Sequence, residues 1–212
     1  MDNFADILFR GEVKSEQIRK GSSQRFEKAY ANRFRDGLGP DEIAFIETRD
    51  TFYMATVSED GWPYVQHRGG PVGFLKVIGT NRLGMADYTG NAQYISMGHL
   101  KAGSRISLIL MDYPRRARLK ILGVATMVDA SKEALKPLSV EGQGPVERIL
   151  EIEVTAFDWN CPKYITQRFD EGEIQTMLGP RIAELDHQVG VLADRLKQLG
   201  EDPAALLKKE TP

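Results

Sequence analysis

The sequence predicts a mainly β fold, a barrel of six to seven antiparallel strands with helices added at both ends. Three observations predict it. Between Thr51 and Trp159 the chain is a series of β-branched and aromatic runs separated by turns rich in Gly, Pro and Asp. Strand–helix–strand repetition is missing, and so are G-x-G-x-x-G and G-x-x-x-x-G-K-[ST], which argues for a barrel over a doubly wound sheet. Beyond that region the pattern changes to a heptad repeat. The organisation that follows is an N-terminal helical arm (1–40), a barrel domain (41–168) and a C-terminal helix (169–212).

The arm is polar, with Phe26, Tyr30 and Phe34 spaced by four as on one helix face, and is a candidate for packing on another subunit. Gly37-Leu38-Gly39-Pro40 breaks the chain, and Asp41 is the expected N-cap of a short helix over 42–48. Thr51–Ser58 and Tyr64–Arg68 are strand-like and flank a Glu59-Asp60-Gly61-Trp62-Pro63 turn, the pattern of a hairpin. Gly73–Ile78 is a third strand and Leu83–Ala86 a fourth. A helix carrying Ile95, Met97 and Leu100 follows. Ser104–Met111 reads as a buried strand, and Ala117–Asp129 as a long one broken at Gly123 by a bulge or corner. Ser131–Leu135 is a short helix and Val140–Pro145 a loop. Ile149–Trp159 alternates strictly, as a half-exposed strand does. In the tail, Leu178, Ile182, Leu185, Val189, Leu192, Leu196 and Leu199 recur at alternating spacings of four and three. That is either a helix packed on its own barrel or a self-associating or partner-binding helix.

Composition excludes several classes. The net charge of −2 gives no global field toward nucleic acid or an anionic membrane, and the basic stretch around Arg10–Arg35 reads as a solvated helix face. Cys161 is the only cysteine, so an intramolecular disulfide and a thiolate zinc cage are both ruled out. His67 and His99 are too isolated for a metal site. The sequence has no apolar run of membrane-spanning length and no leader-like start, so a cytoplasmic protein is expected.

The chemistry concentrates where the fourth strand runs into Asp87-Tyr88-Thr89-Gly90-Asn91 and a helix opens. Free N–H groups of such a turn and the helix dipole favour an anion. Arg68, beside Gly69-Gly70-Pro71, either caps a sheet edge or reaches that anion. Asp87 either bonds the turn's own backbone or contacts the ligand, and Asn91 serves equally well as an N-cap. Cys161, before Pro162, is either a nucleophilic or redox thiol or, as a lone cysteine beside Trp159 more often is, structural.

Taken in order, His67-Arg68-Gly69-Gly70-Pro71-x-Gly73-Phe74, Ala86-Asp87-Tyr88-x-Gly90-Asn91, Met111-Asp112-Tyr113, Arg118-Leu119-x-x-x-Gly123-x-Ala125 and Trp159-Asn160-Cys161-Pro162-Lys163 resemble the pyridoxamine 5′-phosphate oxidase-like, FMN-binding split-barrel proteins. The resemblance implies a homodimer with FMN in a groove at the subunit interface. Carried onto this chain, it puts the phosphate and ribityl side at Gln66, His67, Arg68, Lys76, Asp87, Tyr88, Thr89, Asn91 and Gln93. It puts Arg116, Trp159 and Lys163 of the other subunit beside the ring. Arg68 suits bidentate phosphate binding and Lys76 a point charge, while Tyr88 or Trp159 would supply a flat wall. Lys163 is a candidate for stabilising the reduced flavin.

Three departures separate the chain from vitamin B6 oxidases. Arg68 and Lys76 are farther apart than the oxidases' Arg–Lys pair, with three glycines between them. No Arg or Lys follows Tyr88-Thr89 in Gly90-Asn91-Ala92-Gln93, and no Arg-x-His follows Trp159. The implied function is an FMN-dependent oxidoreductase acting on a small molecule, its catalytic residues unassigned. The alternative is a flavin or haem carrier or sensor without turnover.

Overall fold

A computed structural model of the chain describes residues 1–31, 36–90, 92–129, 138, 146–159 and 162–204. The helix expected over 131–135, the loop over 140–145, and Phe34, Asn91, Asn160 and Cys161 lie outside these. The chain divides into two compact units, Met1–Thr166 and Gln167–Pro212.

The first unit is built on seven strands: β1 (Thr51–Val57), β2 (Pro63–Gly69), β3 (Lys76–Gly79), β4 (Arg82–Tyr88), β5 (Arg105–Asp112), β6 (Ala117–Val128) and β7 (Val146–Trp159). They form one sheet in the order β2-β1-β5-β6-β7-β4-β3, and every pairing is antiparallel. The two end strands, β2 and β3, do not pair with each other, so the barrel is split. This is the mainly β fold expected from the sequence.

The alternation of side chains builds the core. Phe52 and Met54 of β1, Leu108 and Leu110 of β5, Leu119 and Ile121 of β6, and Leu150 and Ile152 of β7 are all buried in one cluster. Each such side chain contributes about 1.5–3 kcal/mol of burial, so these four adjacent strands carry most of the fold's driving force. β4 is buried on both faces. Leu83 and Met85 join the main cluster, whereas Ala86 packs with Leu138 and Ile149. That two-sided burial holds the end of β4, and hence Asp87, in a fixed place.

Gly123 marks a bulge, as its position suggests: the β6–β7 register shifts between Leu122 and Gly123. A Cβ there would lie 2.7 Å from the Glu153 carbonyl oxygen. Gly123→Ala is therefore expected to cost about 1–3 kcal/mol, seen as a lower urea midpoint at unchanged slope.

The arm contains α1 (Phe4–Leu8), α2 (Glu12–Arg19) and α3 (Ser23–Tyr30). Phe9 meets Phe26 and Tyr30 edge-on, both at 5.4 Å between ring centroids. The arm is tied to its own barrel: the Tyr30 hydroxyl donates to Asp158 Oδ1 (2.8 Å), and the Asp2 N–H to the Thr155 carbonyl (2.9 Å). α4 (Pro40–Glu47) starts earlier than expected. Gly39, not Asp41, is its N-cap, because Pro40 takes the first helical position, where its missing N–H costs nothing. β3 likewise begins only at Lys76, since Phe74 N–H bonds back to the Pro71 carbonyl in a turn.

The second unit contains α6 (Glu171–Gln198), which follows α5 (Ile95–Ala102) of the first unit in the helix count. Asp170 caps α6: its Oδ1 accepts from the Glu173 N–H (2.7 Å), and Glu173 Oε2 accepts from the Asp170 N–H (3.0 Å). Among the described residues, no helix is long and apolar enough to cross a membrane.

Candidate functional site

β2, β4, β7 and α5 meet at a cavity of about 230 Å³. Strand alternation determines what β2 offers it: Tyr64, Gln66 and Arg68 share the face that lines the cavity. β4 brings Asp87 and Tyr88 to the lining. The β4–β7 register sets Arg148 directly opposite Asp87. The first turn of α5 closes the far wall with Ile95, Ser96 and Met97.

The centre of the site is a buried charge cluster. Arg68 Nη1 donates to Asp87 Oδ1 (2.8 Å), and Arg148 Nη2 to Asp87 Oδ2 (3.0 Å). The three side chains are only 10–16 % exposed. One carboxylate thus aligns two guanidiniums toward the same space. Burial alone would lower the Arg148 pKa. Hydrogen bonding and charge from Asp87, with Glu147 and Tyr94 adding, outweigh it and hold this guanidinium above its ordinary value. Arg68 Nε is buried and has no hydrogen-bond partner among the described residues. An orphaned guanidinium N–H is costly, and a bound oxyanion would satisfy it.

Two further contacts shape the cavity. Ser96 Oγ donates to Gln66 Oε1 (2.7 Å), fixing the amide. The Arg148 guanidinium lies 5.4 Å from the centre of the Tyr94 ring. Tyr94 and Ala92 both have left-handed backbones, with φ of 50° and 58°. Non-glycine residues seldom adopt that conformation, and it accumulates at binding sites.

Of the residues predicted from sequence, Gln66, Arg68, Asp87, Tyr88 and Gln93 line this cavity. Thr89 is exposed between the lining residues Tyr88 and Gly90, and Asn91 is outside the described residues. His67 points the other way, its Nε2 hydrogen-bonded to Thr51 Oγ1 at 2.7 Å. His99 is also structural here, its Nδ1 2.9 Å from Thr56 Oγ1. Lys76 pairs in register with Gly84 and is not among the lining residues. Arg116 and Lys163 are exposed on loops elsewhere. Trp159 packs edge-on against Phe45, and its Nε1 donates to the buried Glu42 Oε1 (2.6 Å). The sequence reading missed Arg148, Tyr94 and Ser96. Only Ser96 carried a local signal, a small polar residue in the first turn of a helix. Among the described residues, no cluster of three or more His, Cys, Asp or Glu side chains could hold a metal.

No curated protein matches this chain by sequence. Among solved structures, a Lactobacillus delbrueckii protein named after pyridoxamine 5′-phosphate oxidase is 21 % identical, over 59 % of this chain and 97 % of its own, with a TM-score of 0.47. HupZ of Group A Streptococcus is 12 % identical over 62 % of this chain and all of its own, at 0.47. An FMN-binding protein from Syntrophomonas wolfei is 12 % identical over 70 % and 97 %, at 0.42. The family pattern described as pyridoxamine 5′-phosphate oxidase matches residues 40–158, more than half of the chain. That span takes in α4, α5 and all seven strands, β7 up to Asp158, and by it this chain belongs to the pyridoxamine 5′-phosphate oxidase family.

Proposed function

We propose that the chain is an FMN-binding flavoprotein that works as a homodimer and serves as a flavin-dependent oxidoreductase on a small organic molecule. The observation that carries this reading is the pair of aligned guanidiniums, Arg68 and Arg148, with a buried N–H of Arg68 left over for a ligand. A phosphate needs that combination of charge and directed donors. Gln66, Gln93 and Ser96 are short-range donors and acceptors suited to the ribityl hydroxyls. The cavity is smaller than the roughly 300–1,000 Å³ of sites that enclose a whole drug-sized ligand. It therefore suits the phosphate end, with the ring reaching past the rim toward a second copy. Arg116 and Lys163, both exposed, are the candidates to meet the ring there, and Tyr88 the candidate to flank it.

FMN, when bound, supplies hydride and electron transfer at its N5. The chain's part is to seat the phosphate, orient the chain of hydroxyls and hold the ring in a dry groove. Among the described residues Asp87 is the only carboxylate lining the cavity, and both its oxygens are engaged by arginines. It is thereby a positioning group and not a proton carrier. That favours a second reading, a flavin carrier or sensor without turnover.

Absorption of the purified protein tests the proposal. Flavin bands, or a flavin spectrum gained on adding FMN, are expected. A colourless protein that takes up no flavin ends both readings, and a Soret band would point to haem. Anaerobic bleaching by NADH or NADPH, followed by repeated reoxidation on a substrate panel, marks the enzyme. Stable flavin without bleaching marks the carrier.

A further inference from the structure

α6 lies outside the span matched by the family pattern, and no residue of it is buried. Leu178, Ile182, Leu185, Val189, Leu192 and Leu199 are 42–65 % exposed, an unusual amount of large apolar surface for one helix face. The same helix contains Gly172, Gly179, Pro180 and Gly190, all unfavourable for a helix interior. A helix of this composition derives its stability from packing of the apolar face, not from propensity.

We propose that α6 is a self-association element, in which the helices of two copies pair in parallel and in register along this seam. In heptad terms Ile182, Val189 and Leu196 are a residues, and Leu178, Leu185, Leu192 and Leu199 are d residues. Two of the three a residues, Ile182 and Val189, are β-branched and every d residue is Leu, a combination that favours two parallel strands. The flanking charges select the same partner. Arg181 occupies g and Asp186 the following e, so parallel pairing sets each Arg181 against Asp186 of the second copy, twice by symmetry. Antiparallel pairing over the same seam sets Arg181 against Arg195, a like-charge contact. Pro180 occupies f, on the outer face, where its ring does not obstruct the seam. Within each helix Arg181 also pairs with Glu184, and Lys197 pairs with Asp194 on the outer face. The second copy is the occupant whose charge pattern complements this one.

Single cysteines in the full chain test this, with Cys161→Ser removing the natural thiol. Under mild oxidation Leu178→Cys, Leu192→Cys and Leu199→Cys chains are each expected to form a covalent dimer with themselves. His187→Cys, at f, is expected to stay unlinked on that timescale. Asp186→Arg should reduce linking through Leu192→Cys, and adding Arg181→Asp should restore it. Linking confined to a mixture of Leu178→Cys and Leu199→Cys chains would show antiparallel pairing and overturn the proposal. So would no linking at any seam position, the result for a helix packed within its own chain, or equal linking at His187→Cys. None of these readouts depends on flavin.

Discussion

Asp87→Asn is expected to destabilise the protein by about 3–5 kcal/mol, the cost of removing one partner from a buried ion pair and leaving the other charge behind. Here two charges are left behind. Arg68 and Arg148 sit 2.8 and 3.0 Å from the carboxylate oxygens, and both guanidiniums are largely withdrawn from water. Asparagine keeps the shape but loses the charge, and its amide NH2 turns one donor toward a guanidinium. In a chain of this length each kcal/mol moves the melting temperature by roughly 2–4 °C, so a fall on the order of 10 °C should appear in thermal unfolding by circular dichroism. Adding Arg148→Met to Asp87→Asn should recover part of the loss, because the second change removes one uncompensated charge. An unchanged melting temperature for Asp87→Asn would mean that water reaches the cluster and that the two arginines need no common anchor.

That cluster also shows where sequence reading stops. Arg68 and Asp87 stand out because each borders a glycine-bearing turn, and turn chemistry is local. The period of two in β2 places Gln66 and Arg68 on one face and His67 on the other, so the outward turn of His67 was legible from alternation alone. Arg148 had no such signal. It stands at the polar start of β7, and only the pairing of β4 with β7 brings it opposite Asp87, 61 residues away in sequence. Register across a long separation is set by the packing of Leu83, Met85, Leu150 and Ile152 together, which no single segment encodes. The strands themselves were readable, because β-branched runs and alternation mark each one. Boundaries were less so: Pro40 drew the α4 cap back to Gly39, and the Pro71–Phe74 turn delayed β3 to Lys76. Trp159 illustrates the opposite limit. An aromatic next to a family-like motif suggested a ring wall, yet within its own chain the indole N–H is taken by Glu42, which the sequence places 117 residues earlier.

Arg68→Ala is expected to weaken FMN binding by about 1.5–3 kcal/mol, roughly ten- to a hundred-fold in Kd, if its guanidinium pairs with the phosphate. The control lies in the ligand. Riboflavin has the same ring and ribityl chain but no phosphate, so its affinity should be the same for the parent and for Arg68→Ala. Arg68→Lys should fall between the two for FMN, since an ammonium keeps the charge and loses the planar fork. The variant is expected to remain folded, because Asp87 keeps its bond to Arg148 when Arg68 is gone. Equal losses for FMN and riboflavin would assign Arg68 to the shape of the groove, while unchanged FMN affinity would remove it from the site. Fluorescence titration separates the cases, because flavin emission changes when the ring leaves water whichever form is bound. A phosphate-specific loss would also identify Arg148 as the next group to vary. It shares the same carboxylate, and its side chain lines the same cavity. The Arg148→Ala loss should be similar in kind, and the double variant should lose less than the sum of the two, because the arginines share one anion and one anchor.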